Sequence, residues 1–181
     1  NGCSSGRNLG VSNASKEYIM FLDSDQWILH KYWLEPYIDI LTKDEEIGGL
    51  GWAAGWFNKD GYSYHIVDSF PYKYMPPIGL YRSDIGYLGT GGLIMKKDLF
   101  NEIDGFDLHY DPTCYEDTDL SLKIRNQGLE LAYTTYLGVG HLPHQTTKSG
   151  TKEHDNLIRN KGNYFVQKWK KINPKLLKYI K

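Results

Sequence analysis

The sequence predicts an α/β domain built on a sheet of mixed direction, and three observations carry that expectation. Apolar, strand-like runs alternate with helical segments along the chain. One of those runs, Tyr18-Ile19-Met20-Phe21-Leu22, ends abruptly in Asp23-Ser24-Asp25, which places two carboxylates at the carboxyl end of a buried strand, where open α/β sheets bind ligands. The length of 181 residues, with 40% hydrophobic and 24% charged residues, gives one soluble domain room for a real core.

In chain order, Ser5 to Ala14 reads as a helix capped by Ser4 or Ser5, with Leu9 and Val11 among its apolar positions. Tyr18 to Leu22 is a buried strand. Tyr32 to Leu41 has helical spacing at Trp33, Leu34, Tyr37, Ile38 and Leu41. Ile47 to Ala54 is a glycine-rich strand, and the turn Asn58-Lys59-Asp60-Gly61 closes a hairpin with Tyr62 to Val67. From Asp68 to Leu88 the pattern dissolves into Pro71, Pro76, Pro77, Gly79 and tyrosines, and such a stretch inside a compact domain is more often a binding loop or lid than an idle connector. Gly91 to Met95 resumes a strand, Lys97 to Ile103 a short helix, and Glu116 to Gln127 a longer helix stopped by Gly128. Leu129 to Thr134 is a further strand, His154 to Trp169 a helix, and Pro174 starts a short one. There are no internal repeats. The expected organisation is a main portion over residues 1–150 and a helical carboxyl-terminal segment over 151–181.

Composition narrows the function classes. A formal net charge of −1 leaves no electrostatic footprint for nucleic acid, and no basic amphipathic run argues for a membrane surface. The one local bias is the Lys-rich stretch from Lys161 to Lys181, read as a solvated helical face, with contact to anionic lipid or polymer as the alternative. Cys3 and Cys114 are too few for a disulfide framework or a zinc site, so free thiols in a reducing cytoplasm are expected. No apolar run approaches the ~18 residues of a membrane span, no signal peptide opens the chain, and a start at Asn1 suggests a fragment or a processed chain. The 15 Tyr and 5 Trp suit sugar or nucleobase contacts and half-buried core positions equally.

Candidate chemistry begins at Asp23 and Asp25. Strand alternation puts both side chains on one side, where two hard oxygen ligands suit Mg²⁺ or Mn²⁺ with substrate phosphates as further ligands. Taken alone, the tripeptide also fits a strand end followed by a turn. Glu116-Asp117 opens a helix, where acids are favoured by capping and the macrodipole, and where a carboxylate facing a cleft can take a proton from an attacking hydroxyl. Gly91 and Gly92, in Gly89-Thr90-Gly91-Gly92, allow close approach of another molecule or backbone. His141 and His144 follow a probable strand and read either as structural side chains or as ligands for a Mn²⁺-type ion.

Taken in order, Gly6-Arg7-Asn8-Leu9-Gly10, Ala14, Tyr18 to Asp25, Gly91-Gly92, Gly105-Phe106-Asp107 and Glu116-Asp117-Thr118-Asp119-Leu120-Ser121-Leu122 resemble the family 2 glycosyltransferases of GT-A fold. The likeness runs to about residue 145, and the joint order of the landmarks is more specific than any one motif. It implies a GT-A-like mixed sheet flanked by helices, in a chain that starts after the family's amino-terminal nucleotide-binding strands and so lacks them unless an upstream segment or partner chain supplies them. It further implies Asp25 as the stronger ligand of Mn²⁺ or Mg²⁺, with Asp23 on the metal or on the donor ribose and sugar, and His141 rather than His144 completing the shell. By the same likeness Asp117 is the general base of an inverting displacement, Glu116 assists acceptor binding, and Arg7 and Asn8 lie near the donor with Gly91 and Gly92. Many relatives carry a third acid where this chain has Gln26, so that position lends no charge. The implied substrates are a nucleotide-sugar donor and a glycan, lipid-linked or protein acceptor, in the cytoplasm or peripherally at the inner face of the membrane. Tyr72, Tyr74 and Tyr81 lie in the expected lid. The competing classes are a glycan- or partner-binding module that has lost catalysis, and a metal-dependent phosphotransferase or nucleotidyltransferase, which the lack of a Lys or Arg cluster near the acids disfavours.

Overall fold

The computed structural model of the chain describes residues 2–67, 79–81, 85–134, 138–142 and 150–178. Its elements are α1 (Cys3–Asn13), β1 (Tyr18–Met20), β2 (Gln26–Ile28), α2 (Glu35–Lys43), β3 (Ile47–Gly51), β4 (Ala54–Phe57), β5 (Ser63–Val67), β6 (Leu80–Tyr81), β7 (Tyr87–Leu88), β8 (Ile94–Lys96), α3 (Lys97–Glu102), α4 (Glu116–Asn126), β9 (Glu130–Thr134), β10 (Val139–His141) and α5 (Lys152–Ile172). Short 3-10 turns add Leu108–Tyr110 and Pro174–Lys178. The central sheet runs β1-β8-β3-β9-β6, with β3 and β9 parallel and the other neighbours antiparallel. Two smaller sheets, β5-β4-β7 and the ribbon β10-β2, flank it. The expected mixed sheet is therefore present.

Alternation along the strands divides the interior into two layers. Ile19, Met95, Leu131 and Tyr133 face a core shared with Val11 of α1, Phe100 of α3, and Leu120 and Ile124 of α4. Their neighbours Ile94 and Ala132 face the opposite core, with Tyr37 and Leu41 of α2. A third cluster joins Phe165, Val166 and Trp169 of α5 to Phe57, Tyr87, Tyr110, Tyr115 and Leu122.

Polar groups fasten that third cluster. Asp119, 1% exposed, accepts from the Tyr110 hydroxyl (3.2 Å), the Trp169 indole N–H (2.8 Å) and the Lys168 ammonium (2.8 Å). Lys168 also reaches Asp107 at 2.8 Å. Lys168 thus departs from the solvated face expected of the Lys-rich stretch, because its charge is consumed by two inward carboxylates; Lys170 and Lys171 are exposed.

Several boundaries move for local reasons. Helix α1 starts at Cys3 with Gly2 as its cap, and its free Ser4 and Ser5 amides donate to the Asp111 carboxylate, a cap supplied from far along the chain. Pro36 in the first turn sets the start of α2 at Glu35 rather than Tyr32. The Ile47–Ala54 run divides between β3 and β4, which belong to different sheets; β3 is buried on both sides, so no alternation marks the change. The three-residue strands β2 and β10 are too short to leave a periodic signal. Most of the expected lid, including Tyr72 and Tyr74, lies outside the described residues, and within its span β6 and β7 form strands. Among the described residues no helix is long and apolar enough to cross a membrane. Cys3 and Cys114 are free thiols.

Candidate functional site

Beyond β1 the chain stays tied to its neighbour: the Phe21 amide donates to the Leu93 carbonyl at 3.0 Å and the Gly92 amide to the Phe21 carbonyl at 2.7 Å. That tether aims Asp23 and Asp25 out of the sheet's end. The ribbon brings in the third member, because the β2–β10 register sets His141 opposite Gln26 and the Leu142 amide donates to the Asp25 carbonyl at 3.1 Å. One ligand atom each from Asp23, Asp25 and His141 lies within 4.8 Å of the others. The Asp25 carboxylate is 3.4 Å from His141 Nε2, and both side chains are largely shielded. Two carboxylate oxygens and an imidazole are a donor set that fits Mn²⁺ or Mg²⁺.

Glycines shape the floor. A Cβ on Gly91 would stand 2.3 Å from the Asp23 carboxylate, and one on Gly92, at φ +119°, would stand 2.1 Å from the Trp52 indole. Gln26 closes the arrangement: the Asp23 amide donates to its carbonyl oxygen at 2.9 Å, and its amide donates to the Gly91 carbonyl at 2.9 Å. Where a third acid was absent, the side chain present is a neutral latch.

The second group rises at the start of α4. Cys114 and Tyr115 both hold positive φ (80° and 70°), a conformation that costs non-glycine residues on the order of 1–3 kcal/mol and collects at functional sites. Glu116 is 6% exposed. One of its oxygens accepts from Arg7 at 2.8 Å, and the other, Oε2, is buried without a hydrogen-bond partner. The Asp117 carboxylate accepts from the Thr118 amide (2.7 Å) and hydroxyl (3.1 Å). Burial, reinforced by the Glu116 charge, pushes Asp117 up to about 7 against the opposing pull of Thr118 and Arg7. A carboxyl so placed exchanges its proton near neutral pH, as a general base requires.

Arg7 joins the two groups, with Nη1 on Glu116 and Nη2 on Asp23 at 3.1 Å, and its guanidinium lies 5.7 Å from the centre of the Phe106 ring. Asn8 does something else: its amide donates to the Phe106 carbonyl and its oxygen accepts from the Phe106 amide, both at 2.9 Å. The Arg-Asn pair thus splits into a bridge between carboxylates and a clasp on the Gly105-Phe106 turn. His144 lies outside the described residues. Two contributors went unread in the sequence. The Gln26 latch had a signal, since an amide beside two carboxylates offers both a donor and an acceptor; the Arg7–Glu116 pair, 109 residues apart, had no local one.

Comparison with known proteins bears on the family and the fold. The profile of glycosyl transferase family 2 matches residues 1–103. No curated protein matches the chain. Among solved structures, the crystal structure of GalNAc-T7 with UDP, GalNAc and Mn²⁺ superposes with a TM-score of 0.61 at 19% identity, covering 77% of this chain and 30% of that one. At that identity the likeness is one of fold, the GT-A architecture, and this chain spans under a third of that protein's length. With more than half of its length matched by the family profile and its mixed sheet shared with a GT-A structure, the chain belongs to glycosyl transferase family 2.

Proposed function

We propose that this protein transfers a sugar, with inversion, from a nucleoside-diphosphate donor to a hydroxyl on a glycan, lipid-linked or protein acceptor. The observation that carries the reading is the close grouping of Asp23, Asp25 and His141, joined through Arg7 to Glu116 beside Asp117. A Mn²⁺ or Mg²⁺ ion held by Asp23, Asp25 and His141 would supply Lewis-acid neutralisation of the departing diphosphate. Asp117 accepts the acceptor's proton as its oxygen bonds to the anomeric carbon and the bond from that carbon to the diphosphate oxygen breaks. Glu116, with its unpartnered oxygen, holds an acceptor hydroxyl. Arg7 orients Asp23, while Gly91 and Gly92 leave room for the donor and Asn8 fixes the Phe106 turn behind it.

In this reading residues 1–150 form the catalytic portion, working with any upstream segment or partner chain that completes the nucleotide site. The helical segment over 151–181 supports it, with Lys170 and Lys171 on a solvated face. In the full-length protein, Asp117→Asn is expected to lower transfer by roughly 10²–10⁴-fold while nucleotide binding persists. Transfer at near-parental rate would remove Asp117 as the base. Calorimetry with nucleoside diphosphates and Mn²⁺ that showed no binding at all would instead favour a glycan- or partner-binding module.

A further inference from the structure

Six consecutive residues, Trp27-Ile28-Leu29-His30-Lys31-Tyr32, are all exposed, beginning on β2 and running into the turn before α2. Four are large and apolar, between 41% exposed at Trp27 and 60% at Tyr32, and Leu22 and Leu142 add exposed side chains next to Asp23 and His141. An apolar surface of this extent on a soluble domain marks an interaction site. Strand β2 pairs only with β10 among the described residues. Trp27 and Ile28 therefore project to opposite sides of a two-stranded ribbon, and both meet solvent.

We propose that this ribbon edge inserts into the interfacial region of a membrane bearing anionic lipid. A flat protein partner would cover one side of the ribbon, whereas a lipid interface surrounds side chains on both. The chemistry also suits that occupant. Trp and Tyr favour the headgroup level, Ile and Leu the acyl boundary, and Lys31, lying 4.6 Å from the centre of the Tyr32 ring, supplies positive charge in a stretch with no acid from Gln26 to Leu34. The surface adjoins Asp23, Asp25 and His141 and stands on different elements from the Lys-rich carboxyl end, and its membrane contact does not depend on the sugar-transfer reading.

Flotation of the full chain with phosphatidylcholine vesicles, with and without phosphatidylglycerol, tests the proposal. The parent protein is expected to float with the anionic vesicles more than with the neutral ones. Ile28→Ser combined with Leu29→Ser should lose roughly tenfold or more of that binding, from the apolar area removed. Lys31→Glu should lose about fivefold or more on anionic vesicles only, and Lys170→Glu with Lys171→Glu should change little. The substituted side chains are exposed, so circular dichroism and thermal midpoints should match the parent's. A parent protein that ignores both vesicle types, or binds them alike, overturns the proposal. So does flotation that survives the ribbon variants and is lost in the Lys170/Lys171 variant. A parent that self-associates in light scattering without floating, and returns to monomer in the Ile28/Leu29 variant, would assign the edge to a second copy of the chain instead.

Discussion

On one side, Asp23, Asp25 and His141 stand on turns and three-residue strands held by the Gln26 side chain, which accepts from the Asp23 amide and donates to the Gly91 carbonyl, and by the Leu142 amide on the Asp25 carbonyl. On the other, Glu116 and Asp117 open a helix whose next turn is clamped by Asp119, Lys168, Trp169 and Tyr110 in the third core. In the proposed function the first side accepts ligands by small adjustments of loops, and the second holds a proton acceptor at a fixed place. Arg7 carries the only ion pairs joining them among the described residues.

The largest expected effect follows from that contrast. Asp119→Ala strips three donors of a buried acceptor and should cost about 3–5 kcal/mol in urea unfolding, whereas Asp23→Ala, on the open side, should cost under about 1 kcal/mol. Equal losses would break the distinction. Next comes the floor beneath the acids: Gly92→Ala forces a side chain into left-handed backbone against Trp52 and should lower stability by about 1–3 kcal/mol, read as a drop in thermal midpoint.

Within the second side, two carboxylates should respond to pH with opposite sign. Asp117 binds its proton more tightly folded than unfolded, so the stability it contributes is complete below about pH 4, the unfolded carboxylate range, and is lost as pH rises through about 7. Asp117→Asn should flatten that decline and raise the thermal midpoint at pH 8. Asp107 is the reverse. Although burial opposes it, hydrogen bonds from Lys168, the His109 amide and Tyr164 hold it down at about 2, so its contribution is present above about pH 4 and lost as pH falls through 2. Asp107→Asn should weaken the fold at neutral pH and shrink the acid-side loss. The smallest effect is expected at the surface, where Lys43→Ala removes an exposed pair with Asp39 and should change stability by no more than about 0.5 kcal/mol.

What the sequence revealed follows the same division. Helix caps and stops, the periodicity of α5 and the apolar run before Asp23 announce themselves locally, which is why α1, α4, α5 and β1 were legible within a few residues. The ribbon that carries His141 was not, since three residues per strand leave no pattern and the pairing spans more than a hundred residues of chain. Asp119 stood in the sequence only as part of the Glu116–Leu122 landmark, because its three donors arrive from other elements. Arg7 and Asn8 are neighbours of similar polarity, and only the fold sends one to the carboxylates and the other to Phe106.

The central claim, that Asp23, Asp25 and His141 hold a divalent ion for a nucleotide donor, is tested most directly by Mn²⁺ titration followed by electron paramagnetic resonance, with and without UDP, on the parent protein and Asp25→Ala. The account predicts a single Mn²⁺ site, tighter when UDP is present and weakened about tenfold or more by the substitution. Equal Mn²⁺ affinity in the two proteins, or no Mn²⁺ binding even with UDP, would contradict it.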